Sequence, residues 1–136
     1  MTLDLNVIND IIKLEFNSTP SSVERIRMGV MNYNFKFQIQ STEYVLRISP
    51  DNKGENTDFE FSLMRLLWNN HCKVPEPIKK SNGLGYSYFI YRFIRGLPVS
   101  ALTLKKSEVH AIAMDIVNNM DCIASITKKT GLVDLN

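Results

Sequence analysis

The sequence predicts an α+β fold, an antiparallel sheet of about five strands with a packed helix, plus an N-terminal and a C-terminal helix. Three patterns carry this. Apolar residues recur at three- and four-residue intervals in three separate stretches, residues 34 to 40 alternate apolar and polar, and Asn82-Gly83 joins two extended stretches as a tight hairpin turn would.

The elements follow in order. Leu5, Ile8, Ile12 and Val7, Ile11, Leu14 give an amphipathic helix over residues 3 to 15, which Asn17-Ser-Thr-Pro-Ser-Ser22 breaks. Val23–Ile26 is a short strand candidate. After the turn at Gly29, Phe35, Phe37 and Ile39 alternate with Lys36, Gln38 and Gln40, the period of a half-buried strand. A tight connection at Ser41-Thr42 leads to a strand over Glu43–Ile48, and Pro50–Asn56 is a loop by composition. A second helix runs from Thr57 to Asn70, burying Phe59, Leu63, Leu66 and Leu67. Thr57-x-x-Glu60 matches a capping box at its start. Val74-Pro-Glu-Pro77 is extended, since each proline disfavours helix in the residue before it. Ile78–Ser81 and Leu84–Ile94 form the hairpin around Asn82-Gly83, and Gly96-Leu-Pro98 breaks the chain. A third helix begins near Ser107, burying Val109, Ile112, Ala113, Ile116, Met120 and Ile123, and fades by Lys128.

At 136 residues, 44% of them hydrophobic and 22% charged, the chain has the length and composition of one globular domain. A net charge of +2 with scattered basic residues argues against nucleic acid as a partner. The longest uncharged stretch, Ser81–Tyr91, is too short and too polar to span a bilayer, so no membrane association is expected. Residues 1 to 10 lack the basic and apolar regions of a secretory leader, so the expectation is a cytoplasmic protein. Cys72 and Cys122 have neither Cys-x-x-Cys spacing nor a histidine cluster, which favours two reduced thiols over a disulfide. His71 and His110 are too isolated for metal ligation.

Four junctions point to a family. Gly29-Val-Met-Asn32-Tyr-Asn-Phe35 resembles the G-x-x-N-x-x-[YF] turn of aminoglycoside phosphotransferases and choline kinases. Tyr44-Val-Leu-Arg47-Ile48 resembles their third strand, with V-L-R-I leaning toward the choline kinase-like branch. Glu60–Leu67 followed by Val74-Pro-Glu-Pro77 resembles their helix with its trailing V-P-x-P, and Tyr88–Gly96 their fifth strand and hinge. The match covers residues 23 to 98. It implies a kinase-like amino-terminal lobe over residues 21–98, preceded by a helix and linker (1–20) and followed by the start of a helical second lobe (99–136).

The resemblance also implies roles. Backbone N–H groups of the turn holding Gly29 and Asn32 would receive phosphate oxygens, with Asn32 organising the turn. Arg47 would lie over the α- and β-phosphates of ATP, its five-donor fork suiting phosphate oxygens. On the strand, Val45 and Arg47 share one face and Tyr44, Leu46 and Ile48 the other. Glu60 would pair with Arg47 across the lobe, although the capping box offers another use for the same carboxylate. Tyr91 falls at the gatekeeper position, and the carbonyl of Arg92 and the N–H of Ile94 would face the base.

The family's H-G-D-x-x-x-x-N loop, which supplies the catalytic Asp and a magnesium ligand, has no match. Beyond Gly96 the aspartates are Asp115, Asp121 and Asp134, and none has an asparagine five residues on. The expected function is therefore the ATP-binding lobe of a small-molecule phosphotransferase that is inactive alone, with Mg2+ held only if the second lobe is supplied. The alternative is a non-catalytic binding or regulatory module of the same shape. In either case an uncovered apolar surface implies self-association or a missing second lobe as partner.

Overall fold

The computed structural model describes residues 3–26, 33–49, 54–96 and 103–130. Along them run α1 (Leu5–Phe16), β1 (Ser22–Ile26), β2 (Tyr33–Ile39), β3 (Thr42–Ile48), α2 (Gly54–Asn69), β4 (Pro77–Gly83), β5 (Tyr86–Arg92) and α3 (Lys106–Thr130). The strands form one antiparallel sheet in the order β1-β2-β3-β5-β4. The expected helix and strand order is present.

The first helix starts where Asp4 accepts the N–H of Asn6 at 2.9 Å and stops at left-handed Asn17, whose N–H returns to the Lys13 carbonyl. Its Ile8, Ile11 and Ile12 pack on Phe35, Phe37, Leu46, Ile48, Tyr88 and Ile90, one face of the sheet and the main core. Strand alternation selects these residues, since every second side chain of β2, β3 and β5 reaches that face. At the helix end Glu15, its side chain almost enclosed, pairs with Lys79 at 2.6 Å and accepts the Tyr88 hydroxyl.

The hairpin is present with its turn two residues later than expected. Leu84 (φ 53°) and Gly85 (φ 84°) form the turn, while Asn82 and Gly83 end β4 opposite Ser87 and Tyr86. Gly83 serves close approach instead: a Cβ there would lie 2.8 Å from Leu14 Cδ2 and 2.8 Å from the Tyr88 hydroxyl. The β2–β3 connection is the two-residue turn Gln40-Ser41, with Gln40 at φ 55°.

The second helix differs more. It begins at Gly54, a turn before the expected start, so Thr57 is an interior, buried position rather than a cap, and the capping-box reading is wrong. Thr57, Phe61, Met64 and Leu67, at helical spacing, form the inward stripe, and Phe61 meets Phe89 of β5 at 5.8 Å between ring centroids. Phe59, expected inside, is 46% exposed.

The third helix also turns its expected apolar face outward: Val109, Ile116 and Met120 are each about half exposed or more. It is attached through a different stripe. Asp115 pairs with the Lys73 ammonium, and the Asn119 side chain accepts the Lys73 N–H (2.8 Å) and donates to its carbonyl (3.0 Å). Cys122 is disulfide-bonded to Cys72, with Cα atoms 5.9 Å apart. The expectation of two reduced thiols is thus corrected. Positions 115, 119 and 122 recur at helical spacing, so the contacts that seat Lys73 also bring the two cysteines together.

Candidate functional site

The sheet face away from α1 carries polar side chains in rows set by register. Asn34, Arg47 and Phe89 lie side by side across β2, β3 and β5, as do Lys36, Val45 and Tyr91. Glu43, two residues before Val45, and Phe93, two beyond Tyr91, continue this face.

Arg47 and Glu60 meet, as expected. The Arg47 guanidinium donates through Nη2 to Glu60 Oε1 at 3.2 Å, and Nε lies 2.9 Å from Oε2, an ion-pair contact outside hydrogen-bond geometry. Both side chains are about one-third exposed, so the pair contributes little to stability, on the order of 0.5–1 kcal/mol. Its significance is directional. One strand presents the cation, α2 presents the carboxylate, and since Thr57 is no cap, Glu60 has no competing duty at a helix start. The Arg47 guanidinium also stands 5.9 Å from the Phe89 ring.

This pair edges a hollow of about 300 Å³ bounded by Leu63 and Met64 of α2, Val74 and Phe89. A hollow of about 510 Å³ lies at the end of α2, around Trp68, His71 and Cys72, away from Arg47. Burial, opposed by Arg47 and reinforced by Glu60, raises the Tyr91 phenol above its usual range, so it stays neutral beside the ion pair.

The two residues expected at the hinge, Arg92 and Ile94, are placed separately. Arg92 lies three residues along β5 from Phe89, the cross-strand neighbour of Arg47, roughly 10 Å at strand rise. Its side chain sits on the opposite face, pairing with Glu76 at 3.3 Å, and its N–H donates to the Glu76 carbonyl at 2.9 Å. The Ile94 side chain is 63% exposed, and its N–H has no backbone partner among the described residues. Gly29 and Asn32 lie outside the described residues. The structure therefore joins Arg47 to Glu60, and sets Arg92 at the end of β5 and Ile94 just beyond it.

Sequence reasoning missed two features. Asn34, opposite Arg47, has a buried side-chain oxygen without a hydrogen-bond partner among the described residues. Lys36 bridges Glu24 (3.4 Å) and Glu43 (3.0 Å) and stands 4.5 Å from the centre of the Phe93 ring. The hydrogen bond from Lys36, then that from Arg95, pulls the Glu43 carboxyl below its usual range, while Glu43 raises the Lys36 ammonium. The alternation of β2 and β3 placed Lys36 and Glu43 on this face, and only the register shows them to be diagonal neighbours.

Similar folds are found among solved structures. Aminoglycoside phosphotransferase APH(4)-Ia superposes with a TM-score of 0.66 at 19% identity, over 90% of this chain and 40% of that one. Spectinomycin phosphotransferase APH(9)-Ia, in complex with ADP and spectinomycin, gives 0.60 at 15% identity, over 77% and 34%. The GDP and kanamycin complex of APH(2")-IIia gives 0.61 at 16%, over 90% and 45%. The chain thus spans less than half the length of these proteins, and the likeness is one of fold. No curated protein matches by sequence at a significant level. The family model described as "Phosphotransferase enzyme family" matches residues 22–126, most of the chain, and the five-stranded sheet with its helices is the fold those structures share. The chain belongs to the phosphotransferase enzyme family.

Proposed function

We propose that this chain is the ATP-binding lobe of a small-molecule phosphotransferase that transfers phosphate to an alcohol group. The observation that carries the reading is the Arg47–Glu60 pair, a strand cation aimed by a helix carboxylate along the polar sheet face. Phosphoryl transfer depends mainly on positioning and on neutralising phosphate charge, so a directed cation is the main contribution such a lobe can make. The guanidinium's planar, five-donor fork has the geometry that α- and β-phosphate oxygens accept from. The turn containing Gly29 and Asn32 would supply backbone N–H groups to the phosphates, and the Arg92 carbonyl and Ile94 N–H would meet the base edge. Mg2+ is proposed to be held only when a second lobe is supplied.

The chain alone is proposed to bind nucleotide without transferring phosphate, in keeping with the share of its relatives' length that it spans. The phosphate acceptor is proposed to be an aminoglycoside- or choline-like hydroxyl compound. The rest of the enzyme, or a second copy of the chain, would rest on the outward apolar side of α3. That uncovered side also favours a second reading, a non-catalytic module that uses the lobe as a docking platform. Among the described residues no helix is long and apolar enough to cross a membrane.

Calorimetric titration with ATP tests the proposal. Arg47→Ala should weaken binding at least about tenfold and Arg47→Lys less, because an ammonium keeps the charge without the fork. An unchanged affinity in Arg47→Ala, or no ATP binding by the parent chain, would overturn it.

A further inference from the structure

Arg47 and Glu60 occupy one end of the polar face. At the other end Glu43 is a second ionic hub. Its side chain is 12% exposed, and each carboxylate oxygen takes one cation, Oε2 that of Lys36 at 3.0 Å and Oε1 that of Arg95 at 2.5 Å. Its backbone carbonyl accepts the N–H of Phe93 at 3.0 Å. Lys36 closes the circuit, since it also stands above the Phe93 ring and reaches Glu24 of β1. One residue of β3 therefore grips the segment after β5 at both Phe93 and Arg95, and is braced through Lys36 to β2 and β1.

The two gripped positions flank Ile94. Consecutive amides of this segment turn to opposite neighbours, Arg92 to the Glu76 carbonyl and Phe93 to Glu43. The N–H of Ile94, the next residue, meets no described backbone group. Residues 93–96 belong to no regular element, so among the described residues the backbone bonds of Arg92 and Phe93 and the Glu43 side chain are what hold the segment between its covalent ends.

We propose that Glu43 is a positioning residue for the nucleobase: its clamp on Phe93 and Arg95 fixes the height and direction at which the Ile94 N–H is offered. The assignment rests on the nucleotide-lobe reading for what the segment meets, and on geometry alone for the clamp. A donor held in place before binding spares the ligand the cost of ordering it. Arg95 is 81% exposed and Glu43 12%, so the contact is anchored on the Glu43 side.

The test compares ATP with inorganic tripolyphosphate, which has the phosphates and no base, on the full chain. Glu43→Ala should weaken ATP about tenfold while tripolyphosphate stays within about twofold. Glu43→Gln, which keeps an acceptor without the charge, should fall between. Arg47→Ala should weaken both ligands. In the nucleotide-free chain, Glu43→Ala should also speed hydrogen exchange at the Phe93, Ile94 and Arg95 amides and leave Leu46 and Ile90 unchanged. Parallel loss of both ligands, or unaltered exchange at 93–95, would overturn the assignment. A parent chain that binds neither ligand would remove the nucleotide reading, and the exchange result would still decide the clamp.

Discussion

Gly83→Ala and Gly85→Ala change neighbouring glycines of one hairpin and should fail for different reasons. At Gly83 the obstacle is space. A methyl group would sit 2.8 Å from two atoms. Leu14 is 59% exposed and can turn away, whereas Tyr88 is fully buried and its hydroxyl is held by Glu15. Overpacking against a fixed group costs about 1–3 kcal/mol, a lowering of the melting temperature by roughly 4–12 °C. At Gly85 there is open space, and the obstacle is φ 84°, which costs a non-glycine residue about 1–2 kcal/mol. Asparagine tolerates that region, so Gly85→Asn should recover part of the loss, and Gly83→Asn should be worse than Gly83→Ala. Urea melts at constant m-value measure all four, with Gly83→Ala repeated in a Tyr88→Phe background, where the penalty should shrink. The reasoning fails if Gly83→Ala lies within about 0.5 kcal/mol of the parent, or if the Tyr88→Phe background leaves its cost unchanged.

The disulfide closes a 50-residue separation, so reducing it, or replacing both cysteines by serine, should cost about 2–4 kcal/mol, read as a reductant-dependent melting temperature that the double serine variant lacks. Acid and alkali should act at one place. The Glu15 carboxyl is held below its usual 4.5, despite a burial cost, by Lys79 and Tyr88, so its contribution is present above pH 4.5 and lost as pH falls through the lower folded value. Burial, then Glu15, raises the Tyr88 phenol, so that contribution is complete below pH 10 and lost on further alkalinisation. Melts across pH should show both limbs, and Glu15→Gln should flatten the acid one.

Local pattern and tertiary placement were legible to different degrees. Alternation in β2 and β3 gave the right faces because burial on one side of a sheet imposes a period of two. The Arg47–Glu60 pairing was also anticipated, on family motifs rather than on spacing. Helix α2 was misjudged because Thr57-x-x-Glu60 looks the same inside a helix as at its start, and because the buried face runs through Thr57, Phe61 and Leu67, with Phe59 outside it. Helix α3 was misjudged because its apolar stripe was read as core, while Asp115, Asn119 and Cys122 make the contacts that hold it. The Glu43 hub needs a cross-strand diagonal and a contact with Arg95, 52 residues away, which no local window contains.

The seam between α3 and the loop after α2 has a mechanical consequence. The sulfur bridge and the Lys73 contacts fasten the middle of α3 to the turn that follows α2, 50 residues earlier in the chain. Through that fastening, a displacement of α3 is felt first at the trailing end of the helix that bears Glu60.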